Sequence, residues 1–148
     1  MIWQNLVEGE KLPKVVKTAR DMIVGMTPRL KQGAFVFITA ADPVLIKELS
    51  SQAISTFREE EGMSLIVPVE VAEEAGLDAA HPTRCITLNV YSSLEGVGLT
   101  AAVSTALGEA GIPCNMVAAY HHDHVFVPAD KASKAMDVLA RLQSQGLS

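Results

Sequence analysis

The chain repeats itself. Leu65-Ile66-Val67-Pro68-Val69-Glu70-Val71-Ala72 lines up with Val125-Phe126-Val127-Pro128-Ala129-Asp130-Lys131-Ala132. Each copy is an apolar strand halted by proline, which has no N–H for a ladder, followed by an acidic residue at a helix start. Eight residues can match by chance. These two sets occupy the same place in two β-α-β-hairpin-β-α series, so internal duplication is the economical account. Within 148 residues, two repeats of under ~80 residues each bury too little surface to stand alone and need one another.

Read along the chain, residues 14–24 carry Val15, Val16, Ala19, Met22 and Ile23 at helical spacing, with Gly25 and Pro28 as the stop. Residues 1–30 are read as an extension with this leading helix, 31–78 as the first repeat and 84–148 as the second. In the first repeat, residues 34–40 form an apolar strand, and Asp42-Pro43 supplies an N-cap and a fixed φ for a helix to Leu49. Residues 53–58 and 63–68 flank Glu59-Glu60-Glu61-Gly62 as a hairpin with a solvated acidic tip, and a helix runs from Glu70 to Gly76. The aperiodic residues 77–83 are the internal boundary.

The order then recurs. Residues 84–91 form a strand with Ile86, Leu88 and Val90 on one face. A helix over 95–110 carries a stripe of Leu99, Val103, Ala106, Leu107 and Ala110 and ends at Gly111. Residues 114–120 and 124–128 make a second hairpin, and a last helix over 130–142 turns Ala132, Ala135, Met136, Leu139 and Leu142 inward.

Composition excludes several roles. A net charge of −5 with scattered Lys and Arg offers no footprint for nucleic acid. No apolar run approaches the ~18 residues of a membrane span, and residues 1–10 show no signal-peptide pattern. The expectation is a cytoplasmic protein without nucleic-acid or membrane partners. Cys85 and Cys114 sit in apolar runs without CxxC spacing, which reads as two buried free thiols.

The sharpest local feature is Ser92-Ser93-Leu94-Glu95-Gly96-Val97-Gly98-Leu99, a strand passing through small residues into a helix. Glycine permits close approach to the backbone, and the first helical N–H groups lack intrahelical partners, so the turn suits a small anionic or zwitterionic ligand. The plainer reading is close helix packing. Gly96 to Ala101 also fits GxGxxA, but the following hairpin and the short remaining chain do not suit a dinucleotide fold.

His121, His122, Asp123 and His124 could hold a metal. If His122-Asp123 is a two-residue turn, His121 and His124 face each other across the hairpin. With no distant fourth ligand evident, a hydrogen-bonded hairpin tip is preferred and neither metal nor cofactor is expected. No motif places Ser92 or Ser93 beside a base, so the chain is expected not to be an enzyme.

These residues carry a family resemblance. Residues 84–90 followed by 92–103, residues 111–128, and residues 33–37 with 57–65 resemble ACT domains, as in bacterial proteins carrying two such domains. More distantly they are similar to the ACT domains of aspartate kinases and to CASTOR-type amino-acid sensors. The resemblance implies an α+β fold of two ferredoxin-like ACT units, βαββα(β) in tandem, with antiparallel sheets and helices on one face. It implies an effector, most simply an amino acid, at the seam between units. Carried onto this chain, the ligand-binding residues are Ser92, Ser93, Leu94, Glu95, Gly96, Val97, Gly98 and Leu99, with Asn115, Val117, Ala118, Ala119 and Tyr120 from the facing strand.

Two departures stand out. The equivalent first-repeat loop, Ala40-Ala41-Asp42-Pro43-Val44, has no glycine, so one site per pair is expected. Each half also lacks the closing strand, which residues 84–91 or residues 2–7 could supply. The expected function is a non-catalytic regulatory protein for an amino acid or related metabolite, forming a homodimer. A ligandless dimerisation or docking module is the alternative.

Overall fold

A computed structural model of the chain describes residues 18–90 and 98–145. Thr18 caps the first helix by accepting from the Asp21 amide at 3.2 Å. Helix α1 (Ala19–Gly25) leads into β1 (Thr27–Leu30) and β2 (Phe35–Ala40). Both carboxylate oxygens of Asp42 accept from the Val44 and Leu45 amides, and Pro43 opens α2 (Pro43–Ser50), as the sequence predicts. The hairpin β3 (Ser55–Arg58) and β4 (Met63–Pro68) turns through Gly62, at φ +150°, where a Cβ would stand 2.8 Å from the Ala40 carbonyl oxygen. Then come α3 (Val69–Glu74), β5 (Thr83–Asn89), α4 (Leu99–Glu109), β6 (Asn115–Ala118), β7 (Asp123–Pro128), a 3-10 turn (Ala129–Lys131) and α5 (Ala132–Gln145).

The seven strands among the described residues join one antiparallel sheet in the order β3-β4-β2-β5-β7-β6, with β1 on β5 beside the start of β2. The duplication is visible in its register. Phe35 pairs with Pro68 as Thr83 pairs with Pro128, and Ser55 with Ile66 as Asn115 with Phe126. The Val69 amide donates to the Ala34 carbonyl at 3.0 Å, and the Ala129 amide to the Pro82 carbonyl at the same distance. Phe35 and Thr83 are therefore equivalent residues. They also pair with each other, so the two halves meet at an approximate local twofold between them.

Strand alternation divides the side chains between two faces. On the helix-covered face, Met22, Met26, Ile86, Leu88, Val103, Leu107, Ile112, Val125, Val127, Ala135 and Leu139 are among one buried cluster. Val36, Leu49, Leu65, Val67 and Ala72 are among a second, over the first half. The α4 stripe read from the sequence holds, with Leu99, Val103 and Leu107 buried. The α5 stripe gains Val138, which spacing alone did not single out.

Three readings are corrected. Thr27–Leu30 is a strand: Pro28 was read as part of a helix stop, but β1 borders β5 on one side only, where proline costs no ladder bond. This strand closes the sheet of the C-terminal half, and residues 2–7 lie outside the described residues. β5 touches β2 through the single pair Phe35–Thr83. The second hairpin turns at Tyr120-His121, two residues before the expected His122-Asp123: Asp123 pairs with Ala118, and the Ala119 amide donates to the His122 carbonyl at 3.0 Å. His124 therefore faces Val117, not His121. Cys85 is buried, whereas Cys114 is only partly so.

Candidate functional site

All four phenylalanines of the chain lie on the face without helices. The register puts Phe35, Phe37 and Ile66 there together, Phe57 beside Ser64, and Phe126 beside Cys85. Phe126 meets Phe35 and Phe37 edge-on, at centroid distances of 6.3 and 5.4 Å. Phe35, Ile66, Cys85 and Phe126 form a third buried cluster, with Val117 packed against it.

Beside this cluster lies a cavity of about 260 Å³ bounded by Lys31, Ile54, Ser55, Cys85, Thr87, Val117, Ala118, Ala119, His124 and Phe126. Ile54 and Ser55 come from the β3 edge and Val117 to Ala119 from the β6 end. Strands at opposite ends of the sheet thus reach one cavity, so the twisted sheet curls over its open face. Both halves build the wall.

Its polar groups are few and placed. Thr87 Oγ1 and His124 Nδ1 are 2.9 Å apart. The Lys31 amide donates to the Cys85 carbonyl at 2.8 Å, and Arg84 Nη2 donates to the Lys31 carbonyl at 3.0 Å, which anchors the backbone that carries the ammonium. Burial holds the His124 imidazole below its ordinary range; His122 and Lys31 push the same way and Asp123 opposes. Burial raises the Cys85 thiol, against Lys31 and a Thr87 hydrogen bond, so it stays protonated near neutrality and is a poor nucleophile.

The depressed imidazole carries a stability consequence. Folded His124 takes up its proton at lower pH than the unfolded side chain, whose pKa is about 6.5. Its contribution is therefore complete above that pH and declines as pH falls through the window just below it. Urea midpoints at pH 7.5 and 5.5 should differ by more in the native protein than in His124→Gln.

The expected ligand residues separate. Ser92, Ser93, Leu94, Glu95, Gly96 and Val97 lie outside the described residues. Gly98 precedes α4 at φ +106°, a conformation that favours glycine. The Leu99 side chain is buried in the helix-side core. Asn115 is exposed on β6, and Tyr120 is half exposed at the hairpin tip against His121. Val117, Ala118 and Ala119 do line the cavity. Among the described residues, no three His, Cys, Asp or Glu side chains form a group able to hold a metal ion.

Sequence reasoning did not assign Lys31, Ser55, Cys85 or Thr87 to a site, and gave His124 only a metal role. The available signal was period two: Cys85 and Thr87 alternate with the buried Ile86 and Leu88, marking a second, mixed face. A hollow of about 290 Å³ also runs along Val36 to Thr39 beside Leu77, Asp78, Ala80 and His81. Its whole wall comes from the first half and the loop that follows it, and it has neither lysine nor arginine among its described residues.

The comparisons agree with the duplicated fold. One ACT-domain model matches residues 16–84 and another matches residues 80–141. The chain therefore belongs to the ACT-domain family, whose domains are regulatory ligand-binding modules, and it carries two in tandem. A solved protein of unknown function from Vibrio cholerae, described as a possible transport protein, shares 39% identity at a TM-score of 0.74, over 84% of this chain and 94% of that one. The ligand-free regulatory subunit of aspartate kinase from Thermus thermophilus shares the fold, with 12% identity, a TM-score of 0.56 and coverage of 80% and 97%. A protein from Agrobacterium tumefaciens does likewise, with 17% identity, a TM-score of 0.59 and coverage of 80% and 89%. No curated protein matches the chain. No helix among the described residues is long and apolar enough to cross a membrane.

Proposed function

We propose that this tandem ACT protein is a non-catalytic regulatory module that binds an amino acid or a related small metabolite in the open-face cavity. The observation that carries the reading is the joint construction of that cavity, with one cation and the Thr87–His124 pair against the apolar Ile54, Val117 and Phe126. At about 260 Å³ it lies just below the ~300–1,000 Å³ of drug-sized sites, which suits a small metabolite better than a nucleotide. A ligand held by both halves stabilises their junction, and that is how a module without a catalytic group can report occupancy to a partner.

The domain division at 31–78 and 84–148 is carried forward as part of this proposal, with β1 completing the second sheet. So is a cytoplasmic homodimer. Support for self-association comes from Phe57 and Phe37, 72% and 48% exposed on the open face. Thermal-shift screening against amino acids and their metabolic relatives tests the reading. A ligand present at 100 times its Kd should add about 2.7 kcal/mol to stability. No shift from any compound would remove the proposal.

A further inference from the structure

The duplication provides an internal control for the cavity, because each lining residue has a partner in the other half. Phe37 stands where Cys85 does, each facing the equivalent β4 or β7 residue, Ile66 or Phe126. Phe57 stands for Val117 and Ser64 for His124. Lys31 precedes Phe35 by the spacing at which Ala79 precedes Thr83, so its counterpart has no charge. The Ser64 hydroxyl is already bonded to a Glu59 carboxylate oxygen. The other half thus has two phenylalanines in place of small side chains, and Ala79 and Ser64 at the positions of Lys31 and His124; its own hollow carries Asp78 and His81.

Charge around the cavity is one-sided. Among the described residues that line the cavity there is a lysine and a histidine but no aspartate or glutamate. Lys31 is near enough to act electrostatically on both Cys85 and His124. Asp123 neighbours His124 in sequence, but alternation turns it to the helix side with Leu88. A carboxylate entering here gains a charge-assisted partner in Lys31, and the Thr87 hydroxyl can donate to it in the tautomer where His124 Nδ1–H donates to Thr87 Oγ1. An α-ammonium on the same ligand would be desolvated with no carboxylate among the described lining residues and repelled by Lys31.

Building on the effector-binding reading, we infer that the cavity selects a small carboxylic acid with an apolar tail and no ammonium, a 2-oxo or 2-hydroxy acid, with Lys31 as the specificity-determining residue and one ligand per chain. The carboxylate lies at Lys31 and Thr87, and the tail against Ile54, Val117 and Phe126. An uncharged oxygen at the second carbon meets no unpaired charge.

Calorimetric titration of the full chain with L-leucine, and with the 2-oxo acid that differs from it only in replacing the ammonium by an oxo group, tests this directly. The same pair built on phenylalanine extends the tail. The oxo acids should bind at least about tenfold more tightly than the amino acids, at one per chain, and Lys31→Met should abolish that advantage. Because Lys31 is exposed, the variant should keep the native urea midpoint, which separates lost binding from lost folding. Amino acids binding equally or better would overturn the inference and leave the sensing role intact. So would oxo-acid binding that Lys31→Met does not alter. Binding by neither class would overturn the inference and count against the sensing role as well.

Discussion

Phe126→Ala is expected to lower the unfolding free energy by about 3–5 kcal/mol, the range for truncating a buried aromatic ring. Phe126 is 2% exposed although no helix covers it. It is enclosed by Phe35 and Phe37 of the first half, with Cys85 and Ile66 in the same cluster. Its ring fills space where β5 and β7 of one half meet β2 and β4 of the other. The helix-side clusters lie across the sheet backbone and cannot move in to fill the void. Urea denaturation gives the value directly, with Val44→Ala as control. Val44 is 73% exposed on α2, so its loss should stay within about 0.5 kcal/mol. A Phe126→Ala loss below about 1 kcal/mol would show that the open face is not a true second core.

A chain beginning at Lys31 is expected to show no cooperative unfolding transition. That truncation removes Met22 and Met26, both essentially inaccessible to solvent, each worth about 1.5–3 kcal/mol in burial. It bares the β5 edge from Ile86 to Asn89, which β1 pairs, and frees α5, whose Gln143 Nε2 donates to the Val24 carbonyl at 2.9 Å. Set against a domain stability of about 5–15 kcal/mol, these losses are decisive. Circular dichroism during thermal melting reads the outcome. A sharp two-state melt from the shortened chain would mean that β1 is dispensable. The double variant Met22→Ala/Met26→Ala gives a milder version, expected to melt cooperatively at a lower temperature.

Much of this fold was legible because its local signals are strong. Asp42-Pro43, the paired Pro68 and Pro128 stops, and the Leu99/Val103/Leu107 stripe each act through neighbouring residues, and the structure keeps all of them. The strand Thr27–Leu30 was missed because it is four residues long and contains a proline. Its only justification is a partner strand far along the chain. The second hairpin turns at Tyr120-His121, two residues before the His122-Asp123 expected from the sequence. Yet the first hairpin, also bridged by an amide-to-carbonyl bond from Glu59 to Gly62, has the same span and could have set the register.

The candidate site divides along the same line. Val117, Ala118 and Ala119 came from the family pattern alone, and they line the cavity. Lys31, Thr87 and His124 joined them only when β1, β5 and β7 were laid side by side. From the residues alone came the duplication, most of the helices with the Asp42 cap but not the Thr18 cap that opens α1, and the alternation that gives each strand an apolar face. Each of these is governed by contacts within a few residues. The folded chain alone decided which strand closes the second sheet, that the two sheets merge at Phe35 and Thr83, and that a cavity opens in one half while phenylalanines stand in the other. Backbone hydrogen bonds form between any strands the fold brings together, whatever their separation along the chain, so no local pattern could have specified those choices.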